Sequence, residues 1–126
     1  MSKEIKVSLV GNPNTGKTSI FNSLTGLNQK IGNYPGVTVD KKEGIYYSQN
    51  GTKVKILDLP GIYSLNATSA DEHIVVKLLT NSENKDFPDL AVIISDIENL
   101  KRNLFLFTQV KDLKIPCLLV LSLIHI

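Results

Sequence analysis

The sequence has a single cysteine, Cys117, a single methionine and no tryptophan in 126 residues. One cysteine cannot close an internal disulfide, so burial must hold the fold, and such sparse use suits a reducing compartment. Charge of one sign is also lacking. Fourteen Lys and Arg face twelve Asp and Glu, a net charge of +2, which leaves no basic stripe for nucleic acid or a membrane surface. The longest apolar tract, Ile115 to Ile126, falls well short of the roughly 20 residues that a bilayer crossing needs. No signal peptide precedes the first strand pattern, and no repeat, linker or low-complexity stretch interrupts the chain. No His, Cys, Asp or Glu cluster has metal-ligand spacing. What is present, 42% apolar residues over 126 positions, makes residues 1–126 one unit able to bury a core.

Gly11-Asn12-Pro13-Asn14-Thr15-Gly16-Lys17-Thr18 fits G-x-x-x-x-G-K-[S/T], the phosphate-binding loop, and Ser19 follows it. The alternating run Ile5, Val7, Leu9, Val10 leads in as a strand over 4–10. A helical pattern with Ile20, Phe21 and Leu24 leads out over 17–25, with Gly26 to end it. Gly11 and Gly16 let the backbone turn close to a ligand, and successive N–H groups then converge with a helix N-terminus on one anionic point. Lys17 brings a compact positive charge to the β- and γ-phosphates, and Thr18 offers a hydroxyl to magnesium.

Residues 27–37 contain Gly32, Asn33, Tyr34, Pro35 and Gly36 and suit a mobile surface loop. An extended segment over 38–48 is expected to turn at Asn50-Gly51, a two-residue hairpin signal, and return antiparallel over 53–59. Ser69 with Glu72 predicts a capping box before a helix with Ile74, Val75, Leu78 and Leu79 inward. After a polar turn over 81–88, Leu90 to Ser95 reads as a strand covered on both faces. Asn99 can cap a helix with Leu100, Leu104, Phe107 and Val110 inward. Ile115-Pro116 stops it, and 117–124 reads as a further buried strand. The alternation predicts an α/β fold: a mostly parallel sheet with one antiparallel strand and helices on both faces.

Asp58-Leu59-Pro60-Gly61 is a D-x-x-G at a strand's C-terminal end, the side on which open α/β sheets bind ligands. There Asp58 can reach magnesium through a water and the Gly61 N–H can meet a γ-phosphate oxygen; standing alone, the motif is a common turn. Thr38, after Gly36 and Val37, is either a β-branched strand residue or a switch threonine, its hydroxyl on magnesium and its N–H on the γ-phosphate. Ile62 stands where small GTPases carry the glutamine that orients the attacking water, so hydrolysis is expected to be slow without another group. Asn14 is either a plain turn residue or a potassium ligand whose cation does part of an arginine finger's work.

With these motifs placed, the sequence resembles the N-terminal G domain of ferrous iron transport protein B. The resemblance is carried by Gly11-Asn12-Pro13-Asn14 through Phe21-Asn22, by Gly32 to Val39, by Asp58 to Leu65, and by Asn99 to Leu104 with Gln109. It implies a P-loop GTPase domain that binds GTP, GDP and magnesium. Thr38 is then the switch threonine, and Asn14 the site of potassium activation. It also implies a cytoplasmic module tethered to a polytopic membrane domain that moves iron(II) across the cell membrane. That transport domain is absent from this sequence.

The resemblance also exposes departures. The family's N-x-x-D guanine motif falls on Ser122 and His125, and histidine cannot reproduce the aspartate's paired acceptors, which predicts poor discrimination of GTP from ATP. The sequence therefore reads as an incomplete G domain, with 122–126 not the natural coding sequence and the last strand left as a sheet edge. Two other readings stand beside the transporter GTPase. One is a non-catalytic fragment that binds nucleotide weakly. The other is a soluble ribosome-assembly GTPase, disfavoured by Tyr63-Ser64-Leu65.

Overall fold

The computed structural model describes residues 3–13, 15–66 and 68–122. Along the chain run β1 (Glu4–Val10), α1 (Lys17–Thr25), β2 (Gln29–Asn33), β3 (Asp40–Tyr47), β4 (Lys53–Asp58), α2 (Ala70–Thr80), β5 (Leu90–Asp96), α3 (Leu100–Asp112) and β6 (Cys117–Ser122). The strands form one sheet in the order β2-β3-β4-β1-β5-β6. β1 pairs in parallel with β4 and β5, and β5 with β6. β3 runs antiparallel to β4.

The sheet is covered on both faces because its central strands are apolar on both. On one side Phe21 of α1 packs with Leu9, Ile56 and Ile94. On the other, Val75, Leu78 and Leu79 of α2 and Leu106 and Val110 of α3 close over Val10, Leu57, Ala91 and Ile93. Every one of these side chains is at most 5% exposed, and burying each of the Val, Leu, Ile and Phe side chains contributes about 1.5–3 kcal/mol.

Four local expectations are corrected. Residues 29–33, expected within a mobile loop, pair antiparallel with β3. Their side chains are exposed or half-buried, so the backbone ladder rather than an apolar face makes this strand, and periodicity could not reveal it. The hairpin loop between β3 and β4 is longer than two residues. The Gly51 N–H donates to the Ser48 carbonyl at 3.0 Å, the Ser48 N–H donates to the Thr52 carbonyl at 3.0 Å, and Gly51 takes φ 85°. The turn therefore centres on Gln49-Asn50, with Gly51 as the left-handed residue of a three-residue loop. The inward face of α3 is rotated: Asn103, Leu106 and Val110 are buried, whereas Leu104 is exposed. Asn99 precedes α3 without a side-chain capping bond, because its amide instead donates to the Asp96 carboxylate at 2.8 Å.

The Ser69 cap forms as expected: its Oγ accepts the Glu72 N–H at 3.2 Å. The Glu72 carboxylate reaches back to the Thr68 N–H and hydroxyl at 3.2 and 2.8 Å. β6 lies at the sheet edge, with Leu118 and Leu121 exposed. No helix of the described residues is long and apolar enough to cross a membrane.

Candidate nucleotide site

The C-terminal ends of β1 and β4 meet the N-terminus of α1 at a cleft of about 930 Å³. The structure brings Pro13, Thr15, Gly16, Lys17, Thr18 and Ser19 from the first loop together with Asp58, Leu59, Pro60 and Gly61 from the second. Thr38 lines the same cleft, as do Val39, Asp40, Lys42 and Asp71, the last three outside every motif. The geometry follows from parallel pairing: Leu9 of β1 stands beside Asp58 of β4, so the loops that leave these strands face one another.

Gly16 opens α1 with φ 88°, a left-handed conformation in which a side chain would be strained. It turns the chain so that Lys17 begins the helix. The Lys17 ammonium donates to the Asp58 carboxylate and to the Leu59 carbonyl at 2.6 Å. Both side chains are nearly buried, 9% and 2% exposed. The Thr18 hydroxyl donates to the other Asp58 oxygen at 3.4 Å. A hydroxyl and a carboxylate on one wall are hard oxygen donors of the kind magnesium takes beside phosphate oxygens. Among the described residues no group of three or more His, Cys, Asp or Glu could hold a metal ion without such help.

Gly61 is where the loop after β4 touches the loop after β1. A Cβ there would lie 2.8 Å from the backbone nitrogen of Pro13. Gly11 and Asn12 sit behind the cleft wall, both buried. The Gly11 carbonyl accepts the Ile62 N–H at 2.9 Å, and the Asn12 carbonyl accepts the Thr15 hydroxyl at 3.1 Å. Ile62 is 0% exposed and belongs to the core beneath the site. Its side chain is therefore committed to the core and not to the cleft.

The segment that carries Thr38 is anchored at its start. The Val37 N–H donates to the Tyr34 carbonyl at 3.2 Å and the Tyr34 N–H to the Val39 carbonyl at 3.1 Å. Tyr34 is 8% exposed, and the Lys41 ammonium lies 5.8 Å from its ring centroid. Burial foremost, with the charges of Asp86, Asp58 and Glu43, pushes the Tyr34 hydroxyl well above the usual phenol range. Lys41 pairs with Asp86 at 2.6 Å and Glu43 at 3.3 Å. Gly36 and Val37 are exposed on this segment, and Val37 lines a second hollow with Tyr34 and Lys41 rather than the cleft.

Asn14 lies outside the described residues, and so does His125. Ser122 ends β6 opposite Asp96. Asn103 of α3 lies in the Asn99–Leu104 stretch that carries the resemblance, but no motif gives it a role at the site. It is 0% exposed, and its Oδ1 accepts the Asn12 N–H at 3.2 Å.

Comparison with known proteins agrees with this geometry. A family model described as ferrous iron transport protein B matches residues 5–126. The Fe(2+) transporter FeoB of Methanocaldococcus jannaschii is 50% identical over 111 residues, 88% of this chain and 16% of that protein. The chain thus spans about one sixth of the length of the curated relatives it matches. The crystal structure of the G domain of the T. maritima FeoB iron transporter superposes with a TM-score of 0.88 at 39% identity, covering 96% of this chain and 73% of that one. The T. maritima cytosolic domain in a GDP form gives 0.87 at 39% identity, covering 98% and 47%.

Proposed function

The chain belongs to the ferrous iron transport protein B family, and on that premise we propose that it is the GTP-binding, GTP-hydrolysing regulatory domain of a membrane transporter for iron(II). The observation that carries the reading is the placement of Lys17. Its ammonium is held at the cleft by Asp58 and the Leu59 carbonyl, directly beside the amides at the start of α1, where an anion is favoured.

In this reading a nucleotide's β- and γ-phosphates take Lys17 as their counter-charge and accept the N–H groups of Gly16 to Ser19. Thr18 and Asp58, with Thr38, would hold magnesium, which when bound neutralises charge on the phosphate oxygens. The Gly61 N–H faces the γ-phosphate, and Thr38 is drawn in while that phosphate is present, so the Tyr34–Thr38 segment orders with triphosphate and relaxes after hydrolysis. Water attacks the γ-phosphate in line, positioned by backbone groups, since Ile62 is committed to the core. We assign Asn14 the potassium site that compensates for the missing glutamine. Guanine nucleotide is the ligand proposed because the T. maritima relative is described in a GDP form. The partner is a membrane domain of the same longer protein, with this domain on its cytosolic side.

The test is phosphate release from GTP with magnesium, in potassium and in sodium. Turnover that is faster in potassium, loses that difference in Asn14→Ala and vanishes in Lys17→Ala supports the reading. No turnover above the Lys17→Ala background would overturn the GTPase assignment.

A further inference from the structure

We propose that Asn103 is a positioning residue for the phosphate loop: its side-chain oxygen fixes the Gly11–Asn12 peptide and thereby sets nucleotide affinity from α3. The inference rests on the nucleotide-binding reading above. Asn103 occupies the face of α3 that also carries Leu106 and Val110, where an apolar side chain would bury more favourably. Instead both of its donor N–H groups and its oxygen are used, three of its four hydrogen-bonding directions. Its amide donates to the Ser95 hydroxyl at 3.2 Å and the Asn99 carbonyl at 3.0 Å, and its oxygen accepts the Asn12 N–H at 3.2 Å. A buried amide satisfied in this way is rigid and directional.

The Gly11–Asn12 peptide plane is held from both sides. On one side its carbonyl accepts the Ile62 N–H at 2.9 Å, and on the other its N–H reaches Asn103. The next carbonyl, that of Asn12, is tied to the Thr15 hydroxyl at 3.1 Å. The side-chain amide of Asn12 is buried and makes no hydrogen bond among the described residues, so none of them offers it as a substitute for the backbone tie. Without the Asn103 oxygen the plane is pinned on the Ile62 side alone, and its N–H becomes a buried donor free to turn in search of a partner. Any rotation passes into Pro13 and the loop beyond it. If the binding-competent loop falls to a tenth of the population, apparent affinity falls about tenfold.

The experiment measures fluorescent GDP affinity, with magnesium, for the unsubstituted protein, Asn103→Leu, Asn103→Asp and Thr108→Ala, alongside thermal melting of each. Asn103→Leu keeps the branched shape and removes the acceptor and both donors, Asn103→Asp keeps an acceptor oxygen, and Thr108 is exposed on the same helix. The expected result is GDP binding about tenfold weaker in Asn103→Leu, a smaller loss in Asn103→Asp and none in Thr108→Ala. Asn103→Leu binding within twofold of the unsubstituted protein, while Lys17→Ala does not bind, overturns the inference and leaves the nucleotide reading intact. An unsubstituted protein that does not bind GDP overturns both. Amide exchange in the unsubstituted protein needs no variant to fold: slow exchange at Asn12 supports the tie to Asn103, and exchange at the free-peptide rate overturns it.

Discussion

Lys17 and Asp58 form a nearly buried ion pair across the mouth of the cleft at the ends of β1 and β4, joining the first turn of α1 to the last residue of β4. Removing one partner of such a pair leaves the other charge uncompensated, at a cost of about 3 kcal/mol. Lys17→Ala should therefore lose stability in urea unfolding, and Lys17→Ala/Asp58→Asn should recover most of it. Losses that simply add would show that the two side chains do not depend on one another.

Gly61→Ala should damage binding more than folding. The new methyl would stand 2.8 Å from Pro13 nitrogen and 2.9 Å from its Cα, so either the loop after β1 or the loop after β4 must move. Fluorescent GDP affinity and melting temperature, measured together, check this. A drop in affinity of roughly tenfold or more is expected, since displaced ligating groups lower the competent population. Unchanged affinity would mean that the two loops need not touch.

The Gly11–Thr18 motif stands out because such chemistry fixes residue types at fixed spacing, and the strand and helix on either side, β1 and α1, are legible from their periods. The place of Ile62 directly after D-x-x-G is read from that motif, whereas for Thr38 the residues leave two readings open and family resemblance favours the switch threonine. Three features escaped for physical reasons. β2 is made by backbone pairing to β3 while its side chains face solvent, so its sequence carries turn residues and no alternation. α3 has Leu100, Leu104, Phe105, Leu106 and Phe107 spread around its axis, so periodicity alone chose a face that includes Leu104 and leaves out Leu106. Asn103 itself is polar and buried for one partner distant in sequence, Asn12, and nothing local announces such a tie.

Ile62→Gln should not create a faster GTPase. The side chain at this position lies in the core at 0% exposure, packed with Leu57, Leu59 and Val75, and its N–H is engaged by Gly11. A glutamine amide placed there lacks partners, and the cost is about 1–3 kcal/mol. Lower melting temperature with no gain in phosphate release is the expected pair of results. A rise in turnover would show that this segment swings its side chain into the cleft.

The Lys41–Asp86 contact predicts a pH dependence. Burial acts to raise the Asp86 pKa, but the hydrogen bond and charge of Lys41, with Lys55 and Lys85, outweigh it and hold the carboxyl below its usual range. A group whose folded pKa is depressed contributes stability in full above its unfolded value of about 3.9, and loses it as pH falls through the folded value. Asp86→Asn should therefore be less stable at pH 7 by about 1 kcal/mol, after allowance for solvent screening. The gap to the unsubstituted protein should close as pH falls below about 4. Urea unfolding at pH 7 and pH 3 measures both; a gap that widens in acid would contradict the assignment.

The most direct test of the whole account is a titration of GTP with magnesium into the folded protein and into Lys17→Ala, followed by heat release. Binding by the unsubstituted protein and a loss of at least a hundredfold in the variant, about 2.7 kcal/mol, is the predicted result. Equal affinity in the two, with the variant shown to be folded, would contradict it.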